Sequence, residues 1–306
     1  MNMRKLVVED NPSFEQEVYE FGENHPKLMI TAGIHGDEVA GISIAYDMIE
    51  FLNNTKLKNG SIKIMPKCNP VATRVFNRTS FYDEVDMNRI FPGNETDGPT
   101  HKAAKNVWDE ACDMDIIIDL HCANQYSIPY ILSIYDKFPE VLSVINHLPL
   151  ENLVQSSGLR GQFFVESNYQ RNQNAFIIEL PSGSSKGAIK THLANNCFDA
   201  LKNLLIALDF IDGKTVDNPP TYYGEILDIK SPVSGLFKPT KSSGDVVNKG
   251  DIIGKIGNTV IKADNDSKIH TIMPDSYVYK GDLIYSYIIK KEIQALDLGG
   301  KNDKTN

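Results

Sequence analysis

Short continuous apolar runs alternate along the chain with stretches whose apolar residues recur every three or four positions. Residues 28–32 (LMITA), 61–65 (SIKIM), 115–120 (DIIIDL), 130–135 and 175–180 (AFIIEL) are of the first kind and predict buried strands. Residues 39–52 place Ile42, Ala45, Tyr46, Ile49 and Leu52 on one stripe and predict a helix. Thr100 is the expected N-cap of a helix running to about residue 111, and further helices are expected near 138–147 and 187–211. Strands that are apolar throughout, alternating with helices, point to an α/β unit whose mixed, mostly parallel sheet is covered on both faces.

The texture changes after Gly213. The segment KTVDNPPTYYG reads as a linker, and from Tyr222 to Lys290 no helical period occurs. Short alternating runs are instead broken about every ten residues by turn signals (SPVSG, SSGD, NKGD, IGN, YKGD), which predicts a small all-β unit. The expected division is 1–215, 216–292 and a polar tail over 293–306.

Composition narrows the classes. The 306 residues are 41% hydrophobic and 23% charged, which excludes wholesale disorder. Lys and Arg total 31 against 40 Asp and Glu, a net charge of −9, which argues against sequence-independent nucleic-acid binding but leaves room for a local basic pocket. No run reaches the roughly 18 apolar residues of a membrane span, so no membrane partner is expected. The N-terminus turns acidic before any apolar signal core, which makes the cytoplasm the expected compartment. Cys68, Cys112, Cys122 and Cys197 are too scattered for a disulfide scaffold and read as reduced thiols.

Three clusters carry candidate chemistry. Gly33-Ile34-His35-Gly36-Asp37-Glu38 follows a predicted strand, with His35 and Glu38 three apart at a helix entry. His121 ends the strand DIIIDL, and Glu179 is an acid inside the apolar strand AFIIEL, where burial is otherwise expensive. Sites in open α/β sheets gather beyond the carboxyl ends of strands. Two His and one carboxylate around an open position form a catalytic zinc set, with a further carboxylate to move protons. Asp119, two residues before His121, is either an acceptor for that histidine or a plain strand-end acid. The third cluster is Asp86-Met87-Asn88-Arg89-Ile90-Phe91-Pro92-Gly93, preceded by Asn69-Pro70 and Arg78. Its arginines offer forks for a carboxylate or an oxyanion.

GIHGDE at 33–38, NP at 69–70, DMNRIFPG at 86–93, DLH at 119–121 and IEL at 178–180, in that order, resemble the succinylglutamate desuccinylase/aspartoacylase family of zinc hydrolases, whose fold is similar to that of the zinc carboxypeptidases. The resemblance implies one Zn²⁺ per chain held by His35, Glu38 and His121, with Glu179 as the base that activates water and then protonates the leaving amine. It implies Arg78 as the oxyanion arginine, Asn88 and Arg89 as the grip on a substrate carboxylate, and Asp86 as their support. A substrate arginine upstream of the base matches Arg171 loosely. A tyrosine from the C-terminal unit reaches the site in aspartoacylases, and Tyr277 and Tyr279 are the two counterparts offered here, with core packing as the plain alternative.

The segment SPVSGLFKPTKSSGDVVNKGDIIGKIG also resembles the barrel-sandwich fold of biotinyl and lipoyl carriers. The attachment lysine of carriers lies in a Met-Lys-Met triplet, whereas Lys262 and Lys268 sit in VIKAD and DSKIH, so a cap over the site is the expected role. The implied function is a zinc amidohydrolase that deacylates a small anionic N-acyl amino acid. The alternatives are a metallocarboxypeptidase acting on peptides and a catalytically inactive small-molecule binder. A homo-oligomer is left open.

Overall fold

The computed structural model describes residues 1–10, 13–183 and 190–292. The expected tail at 293–306 lies outside them, as do residues 187–189 of the expected last helix. The large sheet has nine strands in the order β1-β2-β4-β3-β5-β8-β6-β7-β9: β1 (Asn2–Asp10), β2 (Ser13–Gly22), β3 (Lys27–Ala32), β4 (Ser61–Met65), β5 (Ile116–Asn124), β6 (Tyr130–Ser133), β7 (Asn152–Gln155), β8 (Asn174–Gly183) and β9 (Thr221–Tyr223). Five of its eight neighbouring pairs are parallel; β1/β2, β2/β4 and β6/β8 are antiparallel.

The helices are α1 (Val39–Asn53), α2 (Pro70–Arg74), α3 (Pro99–Glu110), α4 (Leu142–Ile145), α5 (Phe163–Arg171) and α6 (Thr191–Ala207). Successive strand residues feed opposite cores, as the period of two requires. Ile116, Ile118 and Leu120 pack with α1 and α6 residues such as Ile44 and Leu201. Ile117 and Ile177 pack on the other face with Val107 and Trp108 of α3 and Phe163 of α5. This two-sided burial is why the strand sequences are apolar throughout.

Several sequence expectations need adjustment. The helix expected from Thr100 begins at Pro99 with Gly98 as its N-cap, and Thr100 instead bonds Asp83 through Oγ1 (2.8 Å) and its amide (3.1 Å). The helix expected over 138–147 is a 3-10 turn, Pro139–Val141, followed by the four-residue α4. The β1/β2 hairpin, α5 and β7 carry no clear period in the sequence: the hairpin mixes exposed and buried positions, and α5 and β7 are only nine and four residues long.

The C-terminal unit holds two four-stranded antiparallel sheets over one apolar core. Its strands are β10 (Leu227–Lys230), β11 (Gly235–Pro239), β12 (Val246–Val247), β13 (Ile252–Ile256), β14 (Thr259–Lys262), β15 (Ser267–Ile272), β16 (Ser276–Val278) and β17 (Leu283–Ile288). The linker does not lead straight into it. Strand β9 first pairs with β7 at the edge of the large sheet, beyond the boundary expected at 215. The unit is tied down beside β6: Ile128 N–H donates to the His270 carbonyl (3.0 Å), Ser127 bridges Thr271, and buried Lys268 reaches Glu151 and Asn152 Oδ1. No helix among the described residues is long and apolar enough to cross a membrane.

Candidate active site

The register of the large sheet assembles the site. His121 of β5 is the lateral partner of Glu179 on β8, and Glu179 is the partner of Tyr130 on β6, so three side chains from three strands share one face. His35 and Glu38 enter from the turn after β3, whose strand pairs with β5. Gly36 is required in that turn because a Cβ there would lie 2.0 Å from the Ala72 carbonyl carbon of α2. The Asn69-Pro70 motif builds this contact: the Asn69 amide donates to Gly33 O (2.8 Å), and its side chain caps α2 by accepting from Ala72 N (3.1 Å).

His35, Glu38 and His121 each offer a ligand atom, and these atoms lie within 4.8 Å of one another in a buried cluster. Glu38 Oε1 is 2.7 Å from His35 Nδ1 and Oε2 is 2.9 Å from His121 Nδ1, while Oε2 also accepts from Cys122 N (2.9 Å). The outer ring nitrogens face carboxylates: His35 Nε2 meets Asp86 at 3.1 Å and His121 Nε2 meets Asp119 at 2.7 Å. Asp119 is thus the acceptor for His121 and not merely a strand-end acid, and fully buried it also accepts from Thr31 Oγ1 (2.8 Å). The set fits a divalent metal by donor chemistry: two imidazoles turn Nδ1 toward one carboxylate and are backed at Nε2 by others. Its electrostatics agree. Burial opposes charge on His121, yet Asp119 and Glu38 outweigh it and raise the imidazole well above its ordinary value. The cage therefore collects positive charge, as protons or as a cation.

Glu179 differs from these acids. Its Oε2 is buried without a hydrogen-bond partner, and burial pushes the carboxyl up to about 7, with His121 opposing and Glu38 reinforcing the rise. A carboxylate poised there is suited to proton transfer near neutral pH.

The loop between α2 and α3 supplies the cations. Asp86 accepts from Arg78 Nε (3.0 Å) and holds Nη2 at 2.9 Å, which leaves Nη1 directed at the cluster, 3.7 Å from Glu38 Oε1. Asp86 Oδ1 also accepts from Asn88 N (2.9 Å) and closes the short turn that carries Asn88 and Arg89. Asn88 is buried, and its Oδ1 accepts from Phe163 N at the start of α5 (2.9 Å), so only its Nδ2 end remains for a ligand. Gly161 adopts φ +86° against the Arg89 carbonyl, where a Cβ would come within 2.2 Å.

His35, Glu38, Arg78, Asn88, Arg89, His121 and Glu179 all line one cavity of about 340 Å³ at the carboxyl ends of the parallel strands. A larger cleft of about 800 Å³ lies at their opposite ends, and it holds two ion pairs, Lys27 with Asp113 and Lys63 with Glu20.

Three expected residues are elsewhere. Arg171 stacks 3.6 Å over the Trp108 ring and donates to the Trp108 carbonyl (2.7 Å). Gln162, just before α5, lines the cavity, but Arg171 ends that helix about 13 Å further on at 1.5 Å per residue. Tyr277 and Tyr279 are 64% and 66% exposed and touch each other. Tyr277 sits on β16, at the edge of the β14-β13-β11-β16 sheet, whereas the cavity is met by β15 of the other sheet. The residues that the C-terminal unit brings are His270 and Thr271, and Tyr130 and Gln162 join from the large domain. In the sequence, the signal for His270 is an imidazole between the β-branched residues of SKIHTI; that this strand is buried on both faces is visible only in the structure.

Comparison with known proteins gives the family and the fold. The sequence model of the succinylglutamate desuccinylase/aspartoacylase catalytic domain matches residues 24–208. The chain belongs to this family. Among curated relatives, the N-alpha-acetyl-L-2,4-diaminobutyric acid deacetylase of Halomonas elongata is 23% identical over 244 residues, 76% of this chain and 70% of the relative. The succinylglutamate desuccinylase of Pseudomonas paraeruginosa is 33% identical over 81 residues, 26% of this chain and 24% of its own. Both named relatives are amide hydrolases. In fold, the chain matches an aspartoacylase family protein from Mesorhizobium loti with a TM-score of 0.77 at 22% identity, covering 95% of each chain. It also matches the product-bound ectoine utilization protein EutE of Ruegeria pomeroyi, with a TM-score of 0.72 at 18% identity over 90% of this chain and 89% of that one.

Proposed function

We propose that the chain is a zinc-dependent amidohydrolase that deacylates a small N-acyl amino acid or a related amide. The observation that carries this reading is the buried His35–Glu38–His121 cluster beside the unpartnered Glu179, in a cavity that also holds Arg78 and Arg89. His35, Glu38 and His121 would hold one zinc ion, which when bound supplies a Lewis acid for the amide carbonyl and lowers the pKa of water. Glu179 takes the proton of the attacking water and returns it to the leaving amine. Arg78, clamped by Asp86 with Nη1 turned toward His35 Nδ1 (3.3 Å) and Glu38, hydrogen-bonds the oxygen on which negative charge develops. Arg89 and the Nδ2 of Asn88 bind the substrate carboxylate. The C-terminal unit, β10 to β17, acts as a cap: with β15 beside the cavity, about 340 Å³ suits a small acylated amino acid better than a polypeptide.

The test is a hydrolysis screen over N-acetylated and N-succinylated amino acids and blocked dipeptides, with and without chelator. Chelator-sensitive release of the amino acid supports the reading. Hydrolysis of the dipeptides alone would favour the peptidase, and ligand binding without turnover in zinc-loaded protein the inactive binder. Glu179→Ala should lower kcat by about 10²–10⁴-fold with zinc content unchanged. Full activity in that variant would refute the role given to Glu179.

A further inference from the structure

Strand β15 brings to the cavity an ionisable side chain that the proposed reaction does not use. His270 is 4% exposed, and its ring stands edge-on to Tyr130 with centroids 4.7 Å apart. Tyr130 is the lateral partner of Glu179. The backbone here is fixed from both sides, because the His270 carbonyl accepts from Ile128 N (3.0 Å) and Thr271 bridges Ser127. On the Nδ1 side of the ring stand two hydroxyls, Thr271 Oγ1 at 2.9 Å and Ser286 Oγ at 3.4 Å. A hydroxyl that donates to Nδ1 leaves the ring proton on Nε2. Nε2 is buried without a partner, and the residue lines the cavity. Burial pushes the imidazole down to about 4, so the ring is neutral near pH 7 and acts as a hydrogen-bonding group, not a cation. Buried donors in folded proteins are nearly always satisfied. A substrate seated against this wall of the cavity supplies the partner that the protein does not.

We propose that His270 is a specificity residue whose Nε2–H donates to an oxygen acceptor of the substrate other than the reacting amide and the carboxylate bound by Arg89. The acceptor is a carbonyl, carboxamide or second carboxylate, carried by either the amino-acid side chain or the acyl group. The proposal rests on the deacylase reading for its substrates, but the contact itself is measurable without turnover.

Wild type, His270→Phe and His270→Gln are compared on two matched pairs. N-acetylglutamine against N-acetylnorleucine probes the side chain, and N-succinyl against N-pentanoyl forms of one amino acid probe the acyl group. In one series wild type prefers the oxygen-bearing member. His270→Phe lowers that preference about tenfold or more, chiefly through KM, and leaves the apolar member within about threefold. Gln, which carries an amide donor in place of Nε2–H, restores part of it. An unchanged preference in both series, with hydrolysis intact, overturns the proposal and leaves the deacylase reading standing. Long-range ¹H–¹⁵N spectra of the wild-type imidazole provide the second readout. The Nε2–H tautomer is expected, with its resonance moving when the oxygen-bearing ligands or their products are added. If wild type hydrolyses nothing on the panel, the deacylase reading fails, and this titration alone decides His270: a resonance unmoved by every ligand overturns the contact. Circular dichroism checks each variant's fold, and if His270→Phe does not fold, the Gln variant and the spectra carry the test.

Discussion

Asp119→Asn isolates the part of the candidate metal centre that tunes a ligand without being one. Asp119 is fully buried and accepts from His121 Nε2 at 2.7 Å and from Thr31 Oγ1 at 2.8 Å. The asparagine is isosteric. Its oxygen can still accept from Nε2–H while its amide turns to Thr31, so the tautomer that leaves Nδ1 free is kept and only the negative charge is lost. Loss of such an outer carboxylate typically weakens metal binding by about 10–100-fold. That range equals about 1.4–2.8 kcal/mol at 1.4 kcal/mol per tenfold. Competition titration of metal-free protein with a chromophoric chelator measures it directly. Zinc affinity within about twofold of wild type would refute the argument, as would a loss as large as that of His121→Ala. The metal-free protein provides a second check. His121 is raised well above its ordinary value because Asp119 and then Glu38 outweigh burial. The stabilisation from protonated His121 is therefore fully present below an unfolded-state value of about 6.5 and is lost as pH rises through the raised folded value. Urea denaturation should show Asp119→Asn most destabilised near pH 6, with the gap to wild type narrowing toward pH 9. A gap independent of pH would mean that charge coupling is not what Asp119 contributes.

Gly161→Ala places a Cβ at φ +86° within 2.2 Å of the Arg89 carbonyl, so it should lose about 1–3 kcal/mol in denaturant melts and raise KM for carboxylate-bearing substrates. Arg171→Ala removes the guanidinium from the Trp108 ring, so stability should fall while KM stays at the wild-type value; a KM rise without loss of stability would return Arg171 to the site. Lys268→Ala leaves buried Asn152 Oδ1 without its donor across the contact between the C-terminal unit and the large sheet, and a loss of about 1–3 kcal/mol is expected in the same melts.

The sequence by itself determined the local parts of this protein. Periodicity marked α1 and the central strands β3, β4, β5 and β8 because each obeys one burial rule along its length. The His35–Glu38 and Asp86–Arg89 motifs were legible because residues close in the chain form each constellation. It did not reveal α5, β7 or the edge hairpin, whose burial is set by neighbours far away in the chain. The triad itself lies between. Its members were readable one by one, but their convergence depends on the pairing of β3 with β5, and the place of Glu179 beside His121 on the register of β8. Tertiary structure alone decided which strand of the C-terminal unit meets the cavity. Two exposed tyrosines resembled the expected contact, yet docking through Ile128, Ser127 and Lys268 presents β15 and turns β16 away. A strand's alternation says which residues share a face, whereas which face meets another domain is fixed by contacts between segments more than a hundred residues apart.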